Sequence, residues 1–188
     1  RGLQVAVGTG RLWNLLARLL ACAGLLLLAV VVEGAWGWRM NFAGGALEPV
    51  VVVVLAVGVR TVPELAALVG LAAGLLQDLA GGHALGLAGI SKLLLGFWAS
   101  TAARTVALDS PWASSALAAA GTAGSRAVEA ALRWLAGEPA PALLPWAGGV
   151  AVSSCYNALV APLVFAGFQT VKRWPRRMRR AAPSRLAS

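Results

Sequence analysis

The sequence predicts an all-α integral membrane protein with six transmembrane helices in one bundle. Of its 188 residues, 59% are hydrophobic even before the 22 glycines are counted, and only 12% are charged. A soluble domain is roughly 45–50% apolar with glycine included, and disordered chains are poorer still in apolar residues. The composition therefore excludes both classes. Two further observations predict the bundle, namely apolar runs separated by turn residues and an uneven distribution of cations.

The first two apolar runs differ in length. A bilayer core about 30 Å thick needs roughly 20 apolar residues in one helix, and residues 15–34, with Glu33 near their end, supply the first span. The second run follows Pro49 as five consecutive valines. Because that run is short, we expect its helix to begin upstream, with Glu48 near the membrane interface and a span at 43–59.

Cap and turn residues delimit the other four runs. Thr61 precedes Pro63, and Asp109-Ser110 precedes Pro111. In both places we expect these polar residues to cap a helix whose first turn holds the proline, where its missing N–H costs little. A double-glycine turn at 81–82 separates the third run from the fourth. The remaining spans are predicted at 63–80, 84–104, 112–135 and 149–171, with 142–148 as an interfacial segment before the last.

The cations predict the topology. With both termini in the cytoplasm, the inner side holds twelve of the 16 basic residues and the outer side holds Arg39 and Arg133. The positive-inside rule favours this orientation. Residues 1–171 then form the transmembrane domain, and 172–188 form a basic cytoplasmic tail. We expect the tail to contact anionic lipids rather than nucleic acid; its lipid-binding residues are Lys172, Arg173, Arg176, Arg177, Arg179 and Arg180.

Small residues and buried charges are the main features within the spans. Gly70 and Gly74 share one face of the third span, which ends at Asp78, and such a face lets a neighbouring helix approach closely. Asp78, Lys92, Arg126 and Glu129 all fall in the outer half of the predicted bundle and sum to zero charge. Intramembrane charges pair inside a bundle. We favour a structural polar cluster over a proton or substrate path, because no further carboxylate or histidine continues it.

Residues for catalysis are nearly absent from the sequence. His83 is the only histidine, which excludes zinc sites of the HExxH type. It falls in the predicted outer turn. No phosphate-binding or dinucleotide fingerprint with a flanking strand is present. The sequence therefore predicts a protein that is not an enzyme and has no metal or cofactor.

One segment resembles the signature of the rod shape-determining membrane protein MreD family. Residues 74–82 read Gly-Leu-Leu-Gln-Asp-Leu-Ala-Gly-Gly and are followed by Leu85 and Gly86. The family has a glycine, two hydrophobic residues and an aspartate, then a glycine turn and Leu-Gly. Further likenesses are Pro49, Pro63 with Glu64, Asn157 and Pro162 in the last span, and the basic tail. We expect Gly70, Gly74, Asp78, Gly81, Gly82 and Gly86 to pack and close one helix hairpin.

The resemblance also implies a function and a set of partners. MreD proteins are similar in fold to the substrate-binding subunit of energy-coupling-factor vitamin transporters, with six helices. They are non-enzymatic components of the bacterial elongation machinery in the inner membrane. The family pairs with MreC, and it works with MreB, RodA and a class B penicillin-binding protein in lateral cell-wall synthesis and cell-shape maintenance. We expect the same partners here.

A vitamin-binding transporter subunit is the alternative function. Such subunits carry an Ala-x-x-x-Ala docking motif in the first helix, and Ala17 to Ala21 fits it loosely, with Arg18 inside the motif. A vitamin pocket needs aromatic and polar side chains near the outer loops. Trp36, Trp38, Asn41 and His83 could supply some of them.

Overall fold

All regular secondary structure in the described part of the chain is helical. The computed structural model describes residues 20–35, 44–82, 85–105 and 110–180, with residues 105 and 169–180 described by their backbone alone. Within these ranges the chain forms six helices and no strand, which confirms the predicted all-α fold. The helices are α1 (Leu20–Ala35), α2 (Pro49–Gly58), α3 (Pro63–Gly81), α4 (Leu87–Thr105), α5 (Pro111–Leu135) and α6 (Leu143–Arg180).

The short helix α2 is the centre of the bundle. It contacts α3, α4, α5 and α6, and every residue from Val50 to Val57 is at most 5% exposed. A helix that is apolar on all sides is stable only when it is enclosed. Its ten residues span about 15 Å, half the thickness of a bilayer core.

Helix α2 begins later than the predicted span 43–59. Residues 44–48 are not helical, and the helix starts at Pro49. Proline disfavours the helical conformation in the residue before it, and Glu48 accordingly has φ −116° and ψ 78°. The chain therefore reaches α2 through a non-helical approach segment, residues 44–48.

Helices α3 and α4 form an antiparallel hairpin through backbone contact. A Cβ atom on Gly74 would lie 2.5 Å from the carbonyl carbon of Ala88, and one on Gly70 would lie 2.6 Å from that of Lys92. Gly96 of α4 makes the reciprocal approach to Ala66 of α3. Side chains larger than hydrogen at these glycines would push the two helices apart.

The hairpin ends at glycines in left-handed conformations. Gly81 is the last residue of α3, and Gly82, with φ +65°, donates its N–H to the carbonyl of Asp78. Gly86, just before α4, has φ +103°. Glycine adopts these conformations without steric cost. The predicted outer-turn residue His83 lies outside the described residues.

Helices α5 and α6 form a second antiparallel hairpin, joined by side chains. The Ser110 hydroxyl caps α5 by accepting the N–H of Ala113 at 3.1 Å, which confirms that predicted cap. Helix α6 is continuous from Leu143 to Arg180, so residues 142–148 are not a separate segment before it. Pro145 falls in its first turn, where proline is tolerated.

Arg60, two residues after the end of α2, links α2 to α6. Its guanidinium donates to the carbonyls of Ala56 and Phe165 and lies 5.3 Å from the Phe165 ring centroid. Partial burial lowers the pKa of Arg60, although arginine stays protonated in proteins. The Thr61 hydroxyl donates back to Val57, so the expectation that it caps α3 is wrong.

Two helices in the described ranges are long and apolar enough to cross a membrane. They are Pro63–Gly81 and residues Leu143–Phe168 of α6. The apolar helices Leu20–Ala35 and Pro49–Gly58 are shorter. Six membrane spans therefore remain a prediction, whereas a helical bundle with two candidate spans is what the structure contains.

Candidate functional site

Asp78 closes the α3–α4 hairpin by capping α4. Its carboxylate accepts the N–H of Gly86 at 2.8 Å, that of Ala88 at 3.3 Å and that of Gly89 at 3.4 Å. Asp78 is only 3% exposed. The first amides of a helix have no partner within the helix, and they carry partial positive charge. Asp78 therefore binds backbone amides and forms no ion pair with Lys92 or Arg126.

Lys92 and Glu129 form a buried ion pair between α4 and α5. The Nζ of Lys92 lies 2.5 Å from Oε1 of Glu129, and Lys92 is fully buried. Lys92 also donates to the hydroxyl of Ser125 at 3.1 Å. Ser91 donates to Glu129 at 3.1 Å and lies 2.7 Å from the Ser125 hydroxyl. In this set of four residues, each charge has an opposite charge and a hydroxyl as partners within the protein.

Arg126 pairs with Glu48, which we expected near the membrane interface. Its Nε lies 2.5 Å from Oε1 of Glu48, which is 4% exposed. Arg126 also donates to the Ser153 hydroxyl at 3.4 Å. The pair joins α5 to the approach segment before α2, so Glu48 is part of the polar interior.

Asn157 and Ser153 of α6 bind the backbone of the approach segment. Asn157, fully buried, accepts the N–H of Glu48 at 3.0 Å and donates to the Thr122 hydroxyl of α5 at 2.8 Å. Ser153 accepts the N–H of Ala46 at 3.0 Å. Non-helical backbone inside a membrane protein is stable only where protein groups satisfy it. Asn157 therefore stabilises the non-helical approach segment before α2.

Pro162, the other residue singled out in the last helix, leaves a carbonyl without its helical donor. Proline has no N–H, so the Ala158 carbonyl four residues earlier loses its usual bond. The Ser115 hydroxyl of α5 donates to that carbonyl at 2.8 Å. Ser115 thus ties α5 to α6 at the acceptor that Pro162 leaves free.

Glu33, near the end of α1, is the last of the charged residues in the polar interior of the bundle. It accepts the side-chain amide of Gln77 and, at 3.4 Å, the backbone N–H of Val50. Both donors are neutral. Within the described residues no lysine or arginine lies within ion-pair distance of Glu33, in contrast to Glu48 and Glu129.

These groups surround one cavity of about 360 Å³. Asp78, Arg126 and Glu129 line it, and Lys92 adjoins it through Glu129, so the structure brings the four predicted charges together. Glu33, Glu48, Gln77 and Arg133 also line the cavity. Its volume falls within the range of small-molecule sites.

Sequence reasoning missed Glu33 and Glu48 as members of this site. Both are acids at the edges of apolar runs, and position in the sequence alone favours a solvated interface for them. The signal was present at Glu48, where an acid directly precedes a proline and five valines.

The other predicted residues fall outside the cavity. Gly70 and Gly74 lie in the α3–α4 contact, and Asn157 and Pro162 lie in the α5–α6 contact. The six tail cations from Lys172 to Arg180 belong to the part of α6 that is described by its backbone alone. Among the described residues, no three His, Cys, Asp or Glu side chains are grouped so as to hold a metal ion.

Comparison with protein-family models, with curated proteins and with solved structures finds no match to this chain.

Proposed function

We propose that this chain is an MreD-type protein, a non-enzymatic membrane component of the bacterial elongation complex that binds MreC. In this role it supports lateral cell-wall synthesis and cell shape, and it reaches MreB, RodA and a class B penicillin-binding protein through the complex. The proposal rests on the resemblance of residues 74–86 to the family signature. The resemblance covers most of the chain from Pro49 to Arg180, and residues 74–86 are its most specific part.

The proposal is supported chiefly by the contacts and hydrogen bonds that the signature residues make with one another in the α3–α4 hairpin. Gly74 lies against Ala88, and Asp78 accepts the N–H groups of Gly86 and Ala88. A short motif gains weight when its residues form the local structure that their chemistry requires. Here glycine, aspartate and turn glycine each have a distinct part in closing one hairpin.

The membrane architecture that we propose has six spans with both termini in the cytoplasm of a bacterium. Large apolar side chains on the outside of the bundle support it, because contiguous exposed apolar surface indicates a lipid or protein environment. Examples are Leu68, Phe97, Trp98 and Leu163, which are 43–74% exposed. The short helix α2 is compatible with a membrane protein because it lies inside the bundle rather than against lipid.

Cysteine accessibility tests this architecture. Cysteines introduced at Arg60 and Arg104 are expected to react from the cytoplasmic side, and those at His83 and Glu138 from the outside. Labelling of position 83 from the cytoplasm alone would refute the six-span arrangement.

Co-purification with MreC tests the function. The parent chain, co-expressed with MreC and solubilised in detergent, is expected to retain it. Asp78→Ala should insert into the membrane but retain less MreC, and Asp78→Asn should be milder because it keeps a carbonyl acceptor. Glu138→Gln, an exposed acid between α5 and α6 that is not part of the resemblance, is the matched control and should retain MreC fully.

The cavity is the observation that favours the alternative, a vitamin-binding subunit of an energy-coupling-factor transporter. Its volume and polar lining suit a small molecule. If the parent chain retains no MreC and a vitamin is found by mass spectrometry in the purified protein, the transporter function replaces the MreD function.

A further inference from the structure

Helix α6 is longer than one membrane span requires. It runs without interruption from Leu143 to Arg180, 38 residues in all, which is about 57 Å at 1.5 Å per residue. Its candidate span, Leu143–Phe168, is about 39 Å long and by itself exceeds the roughly 30 Å core of a bilayer. Residues 169–180, here named the α6 extension, continue the helix beyond that span.

The helical register places every cation of the α6 extension on one side of the helix. At about 100° per residue, its basic positions fall within an arc of roughly 160°, and its apolar positions fall outside that arc. The basic positions are Lys172, Arg173, Arg176, Arg177, Arg179 and Arg180, and the apolar positions are Val171, Trp174, Pro175 and Met178. The α6 extension is therefore a basic amphipathic helix, a type that binds either an anionic membrane surface or a groove in an acidic protein.

Arg60 indicates where α6 leaves the membrane in the proposed architecture. Its guanidinium donates to the Phe165 carbonyl at 3.1 Å and lies 5.4 Å from the Phe168 ring centroid. A guanidinium at the end of a bundle lies near the interface between membrane and water. Arg176 and Arg180 lie about 16 and 22 Å beyond Phe165 along the helix axis, whereas the headgroup layer is only about 5–7 Å thick.

The more distant cations of the α6 extension therefore lie beyond the reach of the membrane surface. Attraction to anionic headgroups falls off within one Debye length, about 8 Å at physiological ionic strength. The helix continues through Pro175, so it does not make the right-angle turn that a helix lying along the membrane needs. Lys172 and Arg173 stay close enough to bind lipid headgroups. The distal cations, at positions 176, 177, 179 and 180, do not.

We propose that the α6 extension binds an acidic protein of the cytoplasm, in a groove with an apolar floor and a rim of carboxylates. The arc of distal cations is complementary in charge to such a rim. The apolar positions Trp174 and Met178 suit the floor, as in other amphipathic helices that bind in grooves. At this distance from the membrane, lipid supplies neither requirement. The proposal rests on the proposed cytoplasmic position of the C-terminal end and is separate from MreC binding.

Peptide binding to the full-length protein in phosphatidylcholine nanodiscs tests this assignment. The probe, an acidic-face peptide, is a synthetic helix with a leucine face flanked by glutamates. The control peptide has the same composition, with its glutamates spread around the helix. Fluorescence anisotropy at physiological salt measures both affinities. We expect the acidic-face peptide to bind about tenfold more tightly or better, because only its carboxylates match the arc of distal cations.

Arg176→Met/Met178→Arg is the decisive variant, because it keeps the net charge and moves one cation to the apolar side of the helix. It should weaken binding of the acidic-face peptide about fivefold or more, and it should leave binding of the control peptide unchanged. Both positions lie beyond the candidate span, so the unfolding midpoint of the variant should equal that of the parent.

Three results would overturn the proposal. They are equal binding of the two peptides, undiminished binding in the variant, and loss of binding in nanodiscs made of equal parts of phosphatidylcholine and phosphatidylglycerol. The last result would mean that lipid headgroups hold the distal cations. MreC retention, measured on the same variant, is expected to be unchanged, so failure of this site and failure of the proposed function are distinguished.

Discussion

The α3–α4 hairpin brings two backbones into contact, whereas the α5–α6 hairpin is joined by hydrogen bonds that side chains donate across it. In the first, Gly70, Gly74 and Gly96 leave no room for a Cβ atom. In the second, Ser115 bonds to the Ala158 carbonyl and Thr122 receives the amide of Asn157. Helices in a membrane lack a hydrophobic drive toward one another, so close packing and interhelical hydrogen bonds are the two means available.

The two hairpins should therefore lose different amounts of stability when single residues are substituted. Backbone contact depends on volume, and one added methyl group is excluded by atoms that cannot move aside. Hydrogen bonds between helices tolerate a change of volume, and each contributes little, about 0.6 kcal/mol on average. We therefore expect large effects from single changes in α3–α4 and small ones in α5–α6.

Gly74→Leu should have the largest effect. Its Cβ would lie 2.5–2.6 Å from backbone atoms of Ala88 and Gly89, so the helices must separate, and we expect a loss of about 3 kcal/mol or more. Thermal unfolding in detergent measures it. Gly124→Leu is the matched control, because a Cβ at that exposed position of α5 meets no atom within 4 Å. Equal stability of the two variants would contradict the backbone-contact account.

Lys92→Met should cause the second-largest loss of stability. It leaves Glu129 partly buried without its cation, which costs about 3 kcal/mol in soluble cores and less in bilayers. The double variant Lys92→Met/Glu129→Leu should regain part of the loss, because it removes the stranded charge. Unfolding midpoints of the parent, both single variants and the double variant test this. An additive result would mean that the ion pair contributes no coupling.

Asp78→Ala should destabilise the α3–α4 hairpin by about 1–2 kcal/mol, the usual cost of losing a helix cap. Asp78→Asn should cost less, because its amide oxygen still accepts one N–H of the α4 start. Hydrogen exchange of the Gly86 and Ala88 amides is the specific measurement, since these groups lose their acceptor. Unchanged exchange in Asp78→Ala would refute the capping role.

Ser115→Ala should have the smallest effect, about 0.6 kcal/mol. The loss should vanish in a Pro162→Ala background, because alanine at that position has a backbone N–H to donate to the Ala158 carbonyl. A double-mutant cycle from unfolding midpoints measures this coupling. Suppose that Ser115→Ala lowers the free energy of unfolding equally with Pro162 and with alanine at that position. The Ser115 hydroxyl then does not replace the helical hydrogen bond that the Ala158 carbonyl lacks.

Local features of the fold were predictable because each is encoded within one helix. The four-residue spacing of Gly70 and Gly74 defines a face on α3 without reference to any other element. Ser110 before Pro111 marks the start of α5 in the same local way. The composition likewise indicates an apolar helical bundle, because it depends on no contact at all.

The polar pairings were decided by tertiary structure alone. Arg126 pairs with Glu48, 78 positions away, because an unwound approach segment carries Glu48 inward beside α5. Lys92 reaches Glu129 because α4 and α5 meet at the depth of Ser91 and Ser125. A sequence states which charges a helix carries and on which face. It does not state how far each helix is shifted and rotated against its neighbours, and charges select partners within a few ångströms.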